Sequence, residues 1–251
     1  MSASRHRAST SAAPPAAAAR EPYSGDAGAI TPSNFLAQLE PVDHKALVAL
    51  AALQRYAKGS FVFRAGSPGN NVYFLVDGKV KIKQLSPAGR EVILWFCLPG
   101  EIFGLAEVAR GGGRVVSAQA CEASDVLAVP QERFRSYLAA HPRVAQLSMQ
   151  VLAHRLRVLG EMFVNLVADD VNTRLAKLIL RLCSRYGTRV EGELRLNLPL
   201  THQEIADMIG TTRQTVTTAL SALKRKGVLT MEAHRVRIDS EERLHELGGA
   251  A

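Results

Sequence analysis

Apolar positions fall into three rhythms along the chain. From 57 to 132, short runs at 60–64, 71–76, 79–84, 91–98, 115–120 and 124–129 are separated by turn residues. The breaks lie at 66–69, Asp77-Gly78, 86–89, Pro99-Gly100 and 111–113. Asp77-Gly78 between two alternating runs is a two-residue hairpin signal, since both turn positions need positive φ. Short strands with glycine turns predict a compact β-roll or barrel. Ahead of it, Phe35, Leu36, Leu39, Leu47, Leu50 and Leu53, with Pro41 between them, predict a helical lead-in over 33–56.

The second rhythm is a heptad. Ala145, Met149, Leu152, Leu156, Leu159, Phe163 and Leu166 are spaced alternately by four and three on a helix predicted over 142–168. A second stripe of Val144, Leu147, Val151, Val158 and Met162 would face the roll, leaving the first for another subunit. Asp169-Asp170 ends the seam and marks the expected hinge. Val171, Leu175, Leu178, Ile179 and Leu182 then define another amphipathic helix, followed by a loop and short strands over 187–199.

The third rhythm is two short helices within 200–227. Thr201 and Glu204 have capping-box spacing, and Ile205, Met208 and Ile209 form one apolar stripe. Gly210 suits a left-handed turn, which a side chain resists. Thr211 with Gln214 offers a second capping box, and Val216, Ala219, Leu220 and Leu223 repeat at helical spacing. Lys224, Arg225 and Lys226 complement the helix dipole before Gly227. Two capped helices across a glycine turn predict a helix-turn-helix, whose second helix fits a DNA major groove. Thr212, Arg213, Gln214, Thr217 and Thr218 are its expected reading residues. Thr201, His202, Gln203, Thr211 and Lys224 complete the expected contact set. Arginine pairs in bidentate fashion with guanine, and glutamine with adenine. Residues 228–231 and 234–238 resemble the hairpin of a wing.

Charge sharpens this picture. Of 251 residues, Lys and Arg exceed Asp and Glu by eight. Residues 171–238 hold 12 Lys/Arg against 5 Asp/Glu, so the excess concentrates around the paired helices. Cys97, Cys121 and Cys183 form no close pair, as expected of a reduced cytoplasmic protein. Oxidation of Cys183, near the DNA-binding half, would be one route to regulation. No apolar run is long enough to span a membrane. The first 29 residues, rich in Ala, Ser and Pro, read as a disordered tail.

The sequences GSFVFRAGSPGNNVYFLVDGKVKI at 59–82, PGEIFG at 99–104, RFRSYLAAHPRV at 133–144 and LTHQEIADMIGTTRQTV at 200–216 carry a resemblance. The chain resembles bacterial transcription regulators of the type of the cyclic-AMP receptor protein and the fumarate–nitrate reductase regulator (CRP/FNR). The resemblance spans about Phe35 to Ile238. It implies an α+β fold: an N-terminal cyclic-nucleotide-binding-type β-roll, a long dimerisation helix and a C-terminal winged helix-turn-helix. The expected division is a tail over 1–30, a sensor over 31–140, the dimerisation helix over 141–168, the DNA-binding domain over 169–240 and an acidic tail over 241–251. Met149, Leu152, Leu156, Leu159, Phe163 and Leu166 are the expected dimer contacts.

Site by site, the resemblance implies departures. The effector pocket falls on Gly104, Leu105, Val116, Ser117, Leu159 and Gly160. The cyclic-nucleotide branch supplies Glu to the ribose, Arg-Ser to the phosphate and Thr-Ser to the adenine. Here Leu105, Val116-Ser117 and Leu159-Gly160 stand in those places, with Arg114 two positions along. A cyclic phosphate needs a cationic partner, so cyclic AMP is not the expected effector. An iron–sulfur cluster needs four thiolates where the chain has three. Haem is not expected either, because no His lies within 57–132. The same absence argues against a metal-dependent enzyme of cupin type. In the recognition helix Arg213 is kept, while Gln214 and Thr218 replace the family's Glu and second Arg.

The expected function is a dimeric, sequence-specific DNA-binding regulator, constitutive or responding to another effector, with RNA polymerase as partner if it activates. The alternatives are a cyclic-AMP response through a rearranged pocket, a redox or haem response, and an architectural DNA-binding protein without effector.

Overall fold

The structure is a computed structural model that describes residues 35–249 and the backbone of Glu21–Pro22. The tail read over 1–30 lies outside the described residues, apart from Glu21–Pro22. That two-residue strand, β1, pairs antiparallel with residues 188 and 189.

Helix α1 (Pro41–Leu50) leads in, with Pro41 in the first turn, where its missing N–H costs nothing. The roll is built from β2 (Ala52–Tyr56), β3 (Phe61–Phe63), β4 (Asn71–Asp77), β5 (Val80–Leu85), β6 (Glu91–Cys97), β7 (Ile102–Phe103), β8 (Ser117–Ala120) and β9 (Ser124–Pro130). A one-turn helix, α2 (Ala106–Arg110), interrupts it. The strands form two four-stranded sheets, β2-β9-β4-β7 and β3-β8-β5-β6. Phe63, Tyr73, Leu75, Val80, Ile82, Phe103 and Val126 fill the space between them.

Two expectations fail here. Asp77-Gly78 does not close a hairpin: β4 and β5 lie in different sheets, and of the two turn residues only Gly78 takes a positive φ. The leucine rhythm from Leu47 and Leu50 runs on to Leu53, yet Ala52–Tyr56 is a strand, paired with Ser124–Ala128. The helix stops at Leu50, and ladder bonds to a segment some seventy positions away replace its continuation.

Helix α3 (Gln131–Ala140) and the long α4 (Pro142–Ala168) close the roll's outer face. Val144, Leu147 and Val151 join Phe35, Leu47, Phe74 and Phe134 in a second buried cluster. The heptad seam points the other way: Leu156 is 74% exposed and Phe163 68%. The separation is partial: Leu152 of the seam packs against the same cluster as Val144 and Val151, and Leu159 is half-buried.

Asp170 caps α5 (Val171–Tyr186) by accepting from the Thr173 N–H at 2.8 Å. Strands β10 (Gly187–Val190) and β11 (Glu193–Leu196) follow. Then come α6 (His202–Ile209), α7 (Arg213–Arg225) and the hairpin β12 (Leu229–Glu232) and β13 (Arg235–Ile238). These strands make one sheet with β1, in the order β1-β10-β11-β13-β12. The segment read as an acidic tail is instead a helix, α8 (Glu241–Leu247). Ser240 caps it, Glu241 and Glu242 sit in the first turn where the dipole favours anions, and Leu244 is fully buried.

The core of this C-terminal unit includes two residues of the roll. Ile93 and Phe96 of β6 are buried in the same cluster as Leu178, Ile205, Met208 and Leu220.

Candidate nucleic-acid interface and sensor interior

The paired helices owe their geometry to local chemistry. Thr201 Oγ1 accepts from the Glu204 N–H at 3.1 Å, and the Glu204 carboxylate accepts from the Thr201 N–H at 2.8 Å. Gly210 takes φ 69° and ψ 43°, turning the chain toward α7. Thr211 donates its N–H to the Ala206 carbonyl and so closes α6. The cap of α7 therefore passes to Thr212, whose hydroxyl accepts from the Thr215 N–H at 3.2 Å. This corrects the expected Thr211–Gln214 capping box and releases Gln214.

Ile205, Ala206, Met208 and Ile209 of α6 are buried, as are Val216, Ala219, Leu220 and Leu223 of α7. On the outer face, Thr201, Gln203, Thr212, Arg213, Gln214, Thr217, Thr218 and Lys224 are exposed, while His202 and Thr211 are half-buried. Several are already engaged. His202 Nδ1 lies 2.8 Å from Thr217 Oγ1 and ties α6 to α7. Gln203 donates to Asp207 at 2.8 Å. The Thr217 and Thr218 hydroxyls donate back to the carbonyls of Arg213 and Gln214. Lys224 lies 3.8 Å from Glu232. The side chains of Arg213 and Gln214 make no hydrogen bond or ion pair among the described residues, so their donors and acceptors face outward.

The same helices rest on the roll. Lys79 Nζ donates to the Pro199 carbonyl at 2.7 Å and lies 3.5 Å from Glu204. Arg90 donates to the Thr211 carbonyl at 3.2 Å. Glu101, nearly fully buried in the roll, pairs with Arg185 of α5 at 2.7 Å and lies 3.3 Å from the Tyr186 hydroxyl. Burial pushes the Glu101 carboxyl up against the opposing pull of Arg185, and burial raises Tyr186 well above its usual range. Sequence reasoning missed Lys79, Arg90 and Glu101. Their partners lie about 80 to 120 positions away, and no periodicity signals such pairs.

The expected effector residues are less united. Leu105 is buried against the helices, in the cluster of Phe35 and Phe134. Val116 packs instead on the inter-sheet core. Gly104 takes φ 71°, and a Cβ there would meet the Arg114 guanidinium at 2.9 Å. Ser117 Oγ accepts from the Ala65 N–H at 2.9 Å. Leu159 is half-buried and Gly160 exposed on α4.

Arg114, two positions from the expected phosphate-binding place, lies inside the roll. Arg114 is 3% exposed, donates to the Gly104 carbonyl at 3.0 Å and to the Asn71 carbonyl, and pairs with buried Glu107. Its guanidinium lies over the Phe63 ring at 4.2 Å. The interior is therefore not purely apolar. It holds a buried cation with its own carboxylate, supplied by α2.

The thiols are quiet. Cys97 and Cys183 are fully buried, and burial pushes both up to about 12. Burial also pushes half-buried Cys121 up to about 11. Such thiols carry almost no thiolate at neutral pH, which argues against Cys183 as a redox switch. Among the described residues no helix is long and apolar enough to cross a membrane, and no cluster of His, Cys, Asp or Glu is placed to hold a metal.

Two family models match the chain: a cyclic nucleotide-binding domain over residues 53–141 and a Crp-like helix-turn-helix domain over 173–247. A CRP-like cAMP-activated global transcriptional regulator of Mycobacterium tuberculosis is 34% identical over 207 residues, covering 82% of this chain and 87% of that protein. A global nitrogen regulator of Synechocystis is 29% identical over 188 residues, covering 74% and 84%. Among solved structures, FixK2 from Bradyrhizobium japonicum superposes with a TM-score of 0.71 at 29% identity, covering 80% of this chain and 98% of that one. A CooA variant from Carboxydothermus hydrogenoformans gives 0.74 at 25% identity, covering 87% and 97%.

Proposed function

Because the chain belongs to the CRP/FNR family of DNA-binding transcription regulators, we propose that it reads a near-palindromic DNA site as a homodimer, through Arg213 and Gln214. The observation that carries this reading is the free, outward placement of those two side chains at the capped start of α7. Arg213 supplies a bidentate contact to guanine and Gln214 one to adenine. Thr201, Thr212 and Lys224 serve phosphates, which position without specifying.

The dimer forms along α4. Met149, Leu156, Phe163 and Leu166 form an exposed apolar line at heptad spacing, and a second copy is the partner whose pattern matches it. Two-fold symmetry then sets the recognition helices about 34 Å apart, one turn of duplex. Phe163→Glu is expected to give a monomer by sedimentation and to lose DNA binding. A dimeric variant would move the interface elsewhere. The protein acts in the cytoplasm, with RNA polymerase as partner where it activates.

The roll responds to something other than cyclic AMP, or to nothing. Arg114 is already neutralised by Glu107, and separating a buried pair costs about 3–5 kcal/mol. A second reading has one observation in its favour: Arg114 is a buried cation that a cyclic phosphate would capture if Glu107 yielded. Anisotropy of a labelled palindrome at fixed salt, with and without cyclic AMP, separates the two. Tight binding indifferent to the nucleotide supports the first. A tenfold tightening, about 1.4 kcal/mol of coupling, establishes the second.

A further inference from the structure

A cavity of about 160 Å³ lies where the roll, α4 and the C-terminal unit meet. Its walls include Trp95 from β6, His154, Arg157 and Glu161 from α4, and Arg181 and Arg185 from α5. An α-helix turns about 100° per residue, so His154 and Glu161 lie on the side of α4 opposite the exposed seam. A second copy on that seam leaves this cavity uncovered.

The charges around it do not balance. Arg185 is committed to Glu101. Arg157 and Arg181 form no salt bridge within 4 Å among the described residues; Glu161, the one carboxylate in the wall, offsets the charge of buried Arg181 from a longer range, and Arg157 has no counterpart. This leaves one positive charge in excess. Burial, followed by Arg185, Arg157, Arg155 and Arg181, holds His154 below its usual range, so the imidazole adds no further cation near neutrality. Apart from Ser184, the remaining wall is aromatic and apolar. Volume suggests the size of the occupant, although the site opens to solvent beside exposed Arg157 and Glu161. A dry cavity of about 150 Å³ takes one benzene, so this one takes a single ring bearing a small group.

We propose that this junction cavity binds a small aromatic monocarboxylate, its ring against Trp95 and its carboxylate on Arg181, and that occupancy shifts how the C-terminal unit rests on the roll. One ring matches the volume, one negative charge matches the surplus, and a guanidinium pairs with a carboxylate through two parallel hydrogen bonds. The wall draws on the roll, α4 and α5 at once, so any ligand that spreads it changes their relative placement.

Benzoate is the probe, with neutral benzamide as control. Trp95 is the only tryptophan of the chain, so its fluorescence reports on this wall in the full-length protein. Benzoate is expected to change it saturably and benzamide not at all. Arg181→Gln is expected to weaken benzoate at least tenfold at unchanged thermal midpoint, while Glu161→Gln tightens it, an opposed pair of effects that a site inside the roll would not give. Absence of a saturable change, or indifference to both variants, overturns the site. The consequence for DNA rests on the regulator reading above and is read separately. Benzoate should change DNA affinity threefold or more in the natural sequence and not in Arg181→Gln. Benzoate binding without that change would keep the site and overturn its coupling to DNA.

Discussion

Arg213 and Arg114 sit at opposite ends of the molecule's chemistry. Arg213 opens α7, capped by the residue before it, and its exposed side chain makes no hydrogen bond or ion pair among the described residues. Arg114 is enclosed by Glu107, two carbonyls and an aromatic face. The first is free to meet an external polyanion at little cost. The second has already met its anion, and any newcomer must displace it. The DNA-binding half thus advertises its charge, whereas the roll conceals it.

The largest effect should come from breaking the concealed pair. Glu107→Ala leaves Arg114 buried and uncompensated and is expected to cost about 3–5 kcal/mol in urea unfolding. Replacing both partners with apolar side chains, Glu107→Leu with Arg114→Met, should recover most of that loss. A double variant as unstable as the single one would make the interior's polarity essential rather than merely paired. Arg213→Ala is the mirror test: unchanged stability, with about 1–3 kcal/mol of base discrimination lost in competition anisotropy. Retained sequence preference would refute its reading role. Thr212→Ala removes the cap of α7 and should cost about 1 kcal/mol of stability, visible as a lower denaturant midpoint.

The smallest effect concerns pH. Burial raises the folded-state pKa of Glu101 above its unfolded value. A raised carboxyl stabilises the fold fully below the unfolded value and loses that contribution as pH rises through the raised one. Glu101→Gln should flatten the pH dependence of the unfolding midpoint on the alkaline side of the usual carboxylate range. An unaltered profile would move the titration elsewhere.

Legibility in the sequence follows the range of the interactions. The two stripes of α4, the Thr201–Glu204 box and the Gly210 turn rest on residues within a turn or two of each other, and they are readable. The α7 cap falls one position from where the spacing predicts it because Thr211 and Thr212 are chemically alike; the bond from Thr211 back to Ala206 and the Thr215 N–H on the Thr212 hydroxyl separate them. The strand Ala52–Tyr56 was hidden under a leucine rhythm, since its partner lies far along the chain. The acids of α8 give it the look of a tail, although Ser240 and the spacing of Leu244 and Leu247 have helical form. Arg114–Glu107 and Glu101–Arg185 could not be read at all. A buried charge looks like any surface charge until its surroundings are known.

The placement of Ile93 and Phe96 bears on modularity. Both belong to a strand of the roll, yet both complete the core of the unit that carries α6 and α7. A hybrid that joined this C-terminal unit to a foreign roll at the Asp169-Asp170 break would leave those two places to whatever the new strand supplied. The exchangeable part is therefore a discontinuous one: the last eighty residues together with one face of β6.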